Sequence, residues 1–296
     1  MSLKLWEASK KTKKNSELFA FEKFVSKRLK KKFYNNYNKI HKWSVKSSQD
    51  FWSIFWDFSK IKGVKSKQKI QKSKTFYKNI FLPKSKLNFG ENLLSKNNKD
   101  KAVTFISENG FRETRNWNDL NQNVSKIMKF LKNIKIKKKD RIVAYMPNTI
   151  ETVEAFISSV SLGAIWSSCS PDFGTKGVVE RFSQIHPKVL FVANEYFYNG
   201  KKINILERVP EIIQKIPSIK HVVIINYPGQ KKTKKILNIK IKVSYWSEVL
   251  ETNSSNIIFQ KFNFEHELAI LYSSGTTGKP KCICHRSGGV LLQHKK

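Results

Sequence analysis

The chain has 296 residues, 40% hydrophobic and 12% aromatic, which is enough for a packed core and excludes wholesale disorder. Its formal charge is +35, from 57 Lys+Arg against 22 Asp+Glu, yet only seven of those cations are arginine. Nucleic-acid readers rely on the planar arginine fork, so a lysine excess scattered over a chain also rich in Asn and Ile is read as A/T-biased coding. No specific nucleic-acid partner is expected, and a non-catalytic basic polyanion binder is the alternative function.

Cys169, Cys282 and Cys284 form no disulfide framework, because the last two are too close for an unstrained bridge in an extended segment. Cys284 with His285 falls short of a tetrahedral metal set, so no metal held by this chain is expected. An odd cysteine count without a pattern suits a reducing cytoplasm. The first residues lack an apolar signal core, and residues 155–171 are shorter than the about 20 apolar residues of a membrane span. A soluble, cytoplasmic protein with no membrane partner is the expectation.

In chain order, residues 16–33 predict a helix with Leu18, Phe19, Phe24, Val25 and Leu29 near one face. Residues 41–61 carry Trp and Phe at helical spacing, a packing stripe rather than a ligand box, followed by a Lys-rich exposed connector. AVTFIS and FRETRNW flank Asn109-Gly110, which predicts a hairpin. Residues 117–133 predict a helix with Leu120, Val124, Ile127, Met128 and Leu131 on one stripe. RIVAYM reads as a buried strand. ETVEAFISSVSLG reads as a helix burying Val153, Phe156, Ile157 and Val160, with Gly163 just past its end. Strands GAIWSSCS, KVLFVA, HVVIINY and LAILY alternate with helices TKGVVERFSQIH and ILERVPEIIQKI, the pattern of a parallel sheet covered on both faces. Trp166 could wall a pocket, but packing on the sheet is the plainer reading.

Ligands of such sheets sit at the carboxyl ends of strands, and LAILY runs directly into SSGTTGKPK. This is no Walker A loop: five residues after Gly275 stands Pro280, and Lys279 precedes that proline instead of a hydroxyl residue. A helix cannot follow in the usual way. The composition still suits phosphate, with hydroxyls at Ser273, Ser274, Thr276 and Thr277, backbone N–H groups freed by Gly275 and Gly278, and charge from Lys279 and Lys281.

YSSGTTGKPK, followed by His285 and Gly288-Gly289, resembles the nucleotide loop of adenylate-forming acyl-CoA synthetases. LWEAS (5–9), WSV (43–45) with FW (51–52), YMPNTIETVEAF (145–156) and GAIWSSCSPDFG (163–174) resemble the acetoacetate-activating branch. The resemblance implies an α/β fold of parallel sheets flanked by helices, the large domain of that family in truncated form. An N-terminal helical, aromatic-rich, Lys-rich extension would occupy residues 1–95, and the N-terminal part of the adenylation domain residues 96–296.

It also implies ligase chemistry with ATP, Mg2+, CoA and acetoacetate or a similar short acid such as acetate or propionate. The phosphates of ATP would lie on Ser273, Ser274, Gly275, Thr276, Thr277, Gly278 and Lys281, with Lys279 a surface charge and His285 a weaker candidate. Lys201 and Lys202, beside Asn199-Gly200, would touch CoA, although the family's usual arginines are missing there. The family's catalytic lysine, Mg2+ ligand and adenine-binding segments have no counterpart before Lys296. The expectation is therefore an isolated chain without activity, part of its sheet unpaired and apolar edges exposed, with the rest of the enzyme either encoded separately as a C-terminal partner, lost to a frameshift, or cut off at a contig end.

Overall fold

The computed structural model describes residues 5–33, 36–230, 237, 239–253, 256–274 and 278–296, without the side chain of Phe76. The chain divides into two compact units, one of residues 1–86 with 291–296 and one of residues 87–290.

The first unit is helical, with α1 (Lys10–Lys14), α2 (Glu17–Leu29), α3 (Tyr37–Lys46) and α4 (Ser48–Phe58). Ser9, Ser16 and Asn36 cap the first three by accepting a backbone N–H two or three positions into the helix. The buried face of α2 is Phe21, Glu22 and Val25, one step round from the predicted stripe, and Leu18 is 45% exposed. The shift follows from tertiary packing: Phe21 meets the rings of Phe51, Phe55 and Phe58 on α4 edge-on, at 5.1–5.7 Å. The aromatic stripe therefore packs as expected, and it also lines an open groove of about 1190 Å³. Inside the Lys-rich connector lie short strands β1 (Gly63–Val64) and β2 (Ile70–Gln71), the latter paired antiparallel with β3 (Ile80–Phe81). Those two-residue pairings are too short to leave a periodic signal in the sequence. β4 (Lys86–Leu87) marks the boundary between the units.

The second unit opens with α5 (Phe89–Leu93) and a hairpin of β5 (Lys101–Ile106) and β6 (Arg112–Asn116), whose turn holds Gly110 at φ +80. Then come α6 (Trp117–Asn133), β7 (Arg141–Tyr145), α7 (Ile150–Ser161), β8 (Ile165–Cys169), α8 (Thr175–Phe182) and β9 (Val189–Ala193). A second hairpin, β10 (Glu195–Tyr198) and β11 (Lys201–Asn204), precedes α9 (Val209–Lys215) and β12 (His221–Ile225). β13 (Lys242–Tyr245), α10 (Trp246–Leu250), β14 (Phe262–Asn263), β15 (Glu267–Ser273), β16 (Lys281–Arg286) and α11 (Ser287–Lys295), whose residues from Leu291 on count with the first unit, complete the order.

The main sheet runs β13-β12-β9-β7-β8-β15-β16, with every neighbouring pair parallel except β15 and β16. Every residue of β9 and β12 is buried, the signature of strands covered on both faces. α6 buries all five predicted stripe residues, and its Leu120, Val124 and Met128 pack with Leu94 and with Ile157 of α7. Gly163 stands at φ +74 just past α7, where an added Cβ would lie 2.6 Å from Phe262, so glycine is required twice over. Along the sheet, β8 lies on one side of β7 and β9 on the other. Connections diverge at that point, the kind of topological switch beyond whose carboxyl ends open α/β sheets place their ligands.

On α7, Val153 and Phe156 are only half-buried, and the deepest face instead includes Glu154, with no exposed surface. Its Oε1 accepts from Arg115 Nε at 3.1 Å and Asn123 Nδ2 at 2.8 Å, while Oε2 has no partner among the described residues. Burial raises its pKa from 4.5 to about 7, against the pull of Asn123 and Arg115, and burial also raises neighbouring Glu151. A carboxyl whose folded pKa exceeds its unfolded one stabilises the fold fully below the unfolded value. That contribution is lost as pH rises through the folded value. Wild-type stability should therefore fall by up to about 3 kcal/mol between about pH 5 and about pH 8, at about 1.4 kcal/mol per unit. Glu154→Gln, which keeps the acceptor for Arg115 and Asn123, should flatten that dependence in urea titrations. An unchanged pH slope would mean that Glu154 is ionised in the native protein.

Candidate functional site

The Ser/Thr/Gly-rich loop is the turn of a β-hairpin at the carboxyl edge of the parallel strands. β15 pairs in parallel with β8 at Ala269–Trp166, then returns as antiparallel β16, with Ser273 opposite Lys281. The expectation that no helix follows the loop is met: a strand does, and α11 starts only at Ser287. Of the phosphate-binding candidates, Ser273 and Lys281 are thereby brought face to face across the loop stem. Ser273 is half-buried, and Ser274, Gly278 and Lys281 are exposed, as is Lys279. Gly278 sits at φ +96 with open space where a Cβ would stand, so its backbone can be approached closely. Gly275, Thr276 and Thr277 lie outside the described residues.

Two neighbours hold the stem. Ser167 Oγ donates to the carbonyl of Ile270 at 2.7 Å and lies 3.2 Å from the Tyr272 hydroxyl. Gln184 Nε2 donates to the carbonyl of Pro280 at 3.0 Å. Beside them, Ser170 to Gly174 follow the end of β8. Arg208 binds three groups there, the Tyr145 hydroxyl at 2.6 Å and the carbonyls of Pro171 and Phe173 at 3.2 Å each. Tyr145 in turn donates to the Pro171 and Phe173 carbonyls. Thus the SPDFG stretch is fixed through its backbone by one guanidinium and one phenol. Trp166 is 5% exposed, with ring contacts to Phe156 and Phe191, and is a packing residue of the sheet.

Burial raises every shifted phenol and thiol near these strand ends. Tyr196 and Cys169 rise to about 12, and Tyr145 and Tyr272 also move up. Protonated hydroxyls and permanent cations suit a site that positions an anion and stabilises charge, as phosphoryl transfer requires. Among the described residues no group of three His, Cys, Asp or Glu is arranged to hold a metal ion. No described helix is long and apolar enough to cross a membrane.

Lys201 and Lys202 lie elsewhere, on the β10–β11 hairpin. Its turn is Asn199-Gly200, at φ +50 and +71, the positive-φ pair of a two-residue turn. Lys202 is engaged with Glu195 at 2.9 Å, and Lys201 is exposed. His285 stands on β16 opposite Ala269, and Cys282 and Cys284 of the same strand are exposed free thiols. On this edge strand Ile283 is 45% exposed and faces Leu271, 47% exposed, an apolar pair at the rim of the sheet.

Residues 93–295 match the family described as AMP-binding enzyme. The chain belongs to that family. Within it, the sequence is 38% identical over 269 residues to an acetoacetyl-CoA synthetase of Gallus gallus, covering 88% of this chain and 40% of the relative. It is 34% identical over 292 residues to an acetoacetyl-coenzyme A synthetase of Rhizobium meliloti (strain 1021), covering 99% and 44%. The solved acetoacetyl-CoA synthetase from Streptomyces lividans superposes with a TM-score of 0.91 at 25% identity, covering all of this chain and 45% of the other. The chain thus spans somewhat under half the length of these AMP-binding enzymes.

Sequence reasoning passed over Gln184, Arg181 and Arg208. Arginine scarcity was the signal available. In a chain with 57 basic residues and only seven arginines, Arg115, Arg141 and Arg208 each grip two or more acceptors, a task that lysine's point charge does poorly.

Proposed function

We propose that this chain carries the nucleotide-phosphate half of an acetoacetate–CoA ligase. In the reaction, the acid's carboxylate attacks the α-phosphate of ATP, giving acyl-adenylate and pyrophosphate, and the CoA thiolate then displaces AMP. The observation that carries this reading is the register of Ser273 against Lys281 at the carboxyl edge of the parallel strands, closing a turn built of Ser, Thr and Gly. Pyrophosphate leaves with growing negative charge. The hydroxyls of Ser273, Ser274, Thr276 and Thr277, the freed amides of Gly275 and Gly278 and the Lys281 ammonium are the groups assigned to stabilise it. Mg2+ would enter with ATP as part of the substrate and would supply charge neutralisation at its phosphates. Lys201 and Lys202 are assigned to the phosphates of CoA, with Lys201 the more available of the two.

In this reading residues 1–95 form the N-terminal extension and residues 96–296 the first part of the adenylation domain. The protein works in the cytoplasm. Acetate or propionate is the alternative acid, because one or two methylenes change pocket binding by only about 1–3 kcal/mol.

Calorimetric titration of magnesium pyrophosphate into the full chain tests the loop, with saturable one-to-one binding expected. Adding a polypeptide that corresponds to the rest of such a ligase should give AMP formation dependent on both acetoacetate and CoA. Absence of pyrophosphate binding would remove the phosphate assignment, and AMP formation with propionate but not acetoacetate would change the acid.

A further inference from the structure

The segment from α8 through the following 3-10 turn (Ser183–Ile185) buries Val178, Phe182 and Ile185, which fixes its rotation. Arg181 and Gln184, three residues apart, therefore share one edge. Arg181 stacks its guanidinium 4.0 Å from the ring centroid of Phe173 and donates to the Gly177 carbonyl at 2.8 Å. The same guanidinium lies 5.9 Å from the ring centroid of Tyr272, the residue before Ser273 and Ser274. Gln184 Nε2 donates to Glu180 O at 2.8 Å and to Pro280 O at 3.0 Å, so both its amide hydrogens are committed. Pro280 is buried, has no N–H of its own and immediately precedes Lys281, so its carbonyl is the handle by which the loop's exit can be held.

We propose that the Arg181–Gln184 edge of this helical segment is a positioning clamp for the phosphate loop. Arg181 steadies the entry stem at Tyr272, and Gln184 fixes the exit stem at Pro280. The inference rests on the phosphate reading of the loop given above. Its physical content is preorganisation: a loop held at both stems loses less conformational freedom when an anion binds, and Lys281 is kept in register with Ser273. The choice of arginine fits, because the planar guanidinium stacks on Phe173 in a way an ammonium cannot.

Two full-chain variants test it, Gln184→Leu, which keeps the bulk without the donors, and Arg181→Lys, which keeps the charge without the stack. Hydrogen exchange read by mass spectrometry should accelerate in residues 278–282 for Gln184→Leu and in residues 272–274 for Arg181→Lys. Exchange in β7 and β12 should stay unchanged. The dissociation constant for magnesium pyrophosphate should rise about threefold to tenfold in each variant, the loss expected for one hydrogen bond or one stacked cation. Unchanged exchange at both stems overturns the clamp, and faster exchange with unchanged pyrophosphate affinity overturns its positioning role. If the wild-type chain fails to bind pyrophosphate, the phosphate reading falls and the positioning role with it. The exchange comparison then reports separately on whether the two contacts hold the stems.

Discussion

Replacing Lys281 by alanine is expected to weaken magnesium pyrophosphate binding by about 10- to 100-fold, while Lys279→Ala changes it by less than about threefold. The difference follows from place in the fold. Lys281 opens β16 directly across from Ser273, so its ammonium rises from the rigid stem of the hairpin. Lys279 is exposed within the turn, one residue before buried Pro280. A charge-assisted hydrogen bond to an anion contributes about 1.5–3 kcal/mol, and each 1.4 kcal/mol is about tenfold in affinity. Calorimetry on the two variants measures this directly. Equal losses for both would show that the turn acts through general positive charge, and the hairpin register would then explain nothing about binding.

Trp166→Ala is expected to destabilise the second unit by about 3–5 kcal/mol, the range for emptying a large buried aromatic site. The indole is packed between Phe156 at 5.7 Å and Phe191 at 6.3 Å, centroid to centroid. In the strand ladder Trp166 lies between Ile142 of β7 and Ala269 of β15. Removing it would leave a void beneath the strand that leads into the Ser/Thr/Gly-rich loop, so the loop stem should lose order along with the core. Urea denaturation followed by far-UV circular dichroism gives the number. A cost under about 1 kcal/mol would mean that the ring walls an open pocket instead of filling the core.

Much of the second unit was legible because its signals are local. The stripe of Leu120, Val124, Ile127, Met128 and Leu131 repeats at helical spacing, and all five are buried. The short apolar runs of β7, β9 and β12 carry their burial in their composition. The positive φ of Gly163 follows from its place after α7. What escaped depends on partners distant in sequence. Gln184 and Pro280 are 96 residues apart, and Glu154 meets Arg115 across 39. Helical periodicity places Glu154 on a face but gives no hint that a charge will be buried there. β16 reads as a mixed polar segment, because KCICHR gains its strand character only from the register with β15. The β10–β11 hairpin was a different kind of miss. Asn199-Gly200 carries the same turn chemistry as Asn109-Gly110, but flanking lysines hid the alternation and drew the reading toward charge. Around the loop, the hydroxyls, glycines and lysines were visible as a string, whereas the pairing of Ser273 with Lys281 and the grip on Pro280 needed the fold.

The hairpin geometry has an electrostatic consequence. In phosphate sites where a strand leads straight into a helix, the aligned amides of the first turn present a macrodipole that dissolved ions cannot displace. Here β15 turns back as β16, so no helix macrodipole backs the turn, and the net charge there comes from lysine side chains, Lys279 and Lys281, that are exposed to solvent. Such charges are screened over about 8 Å at physiological ionic strength. Any grip of this turn on a polyphosphate should accordingly slacken with added potassium chloride more steeply than at a helix-capped site, so that ionic strength sets how firmly the anion is held.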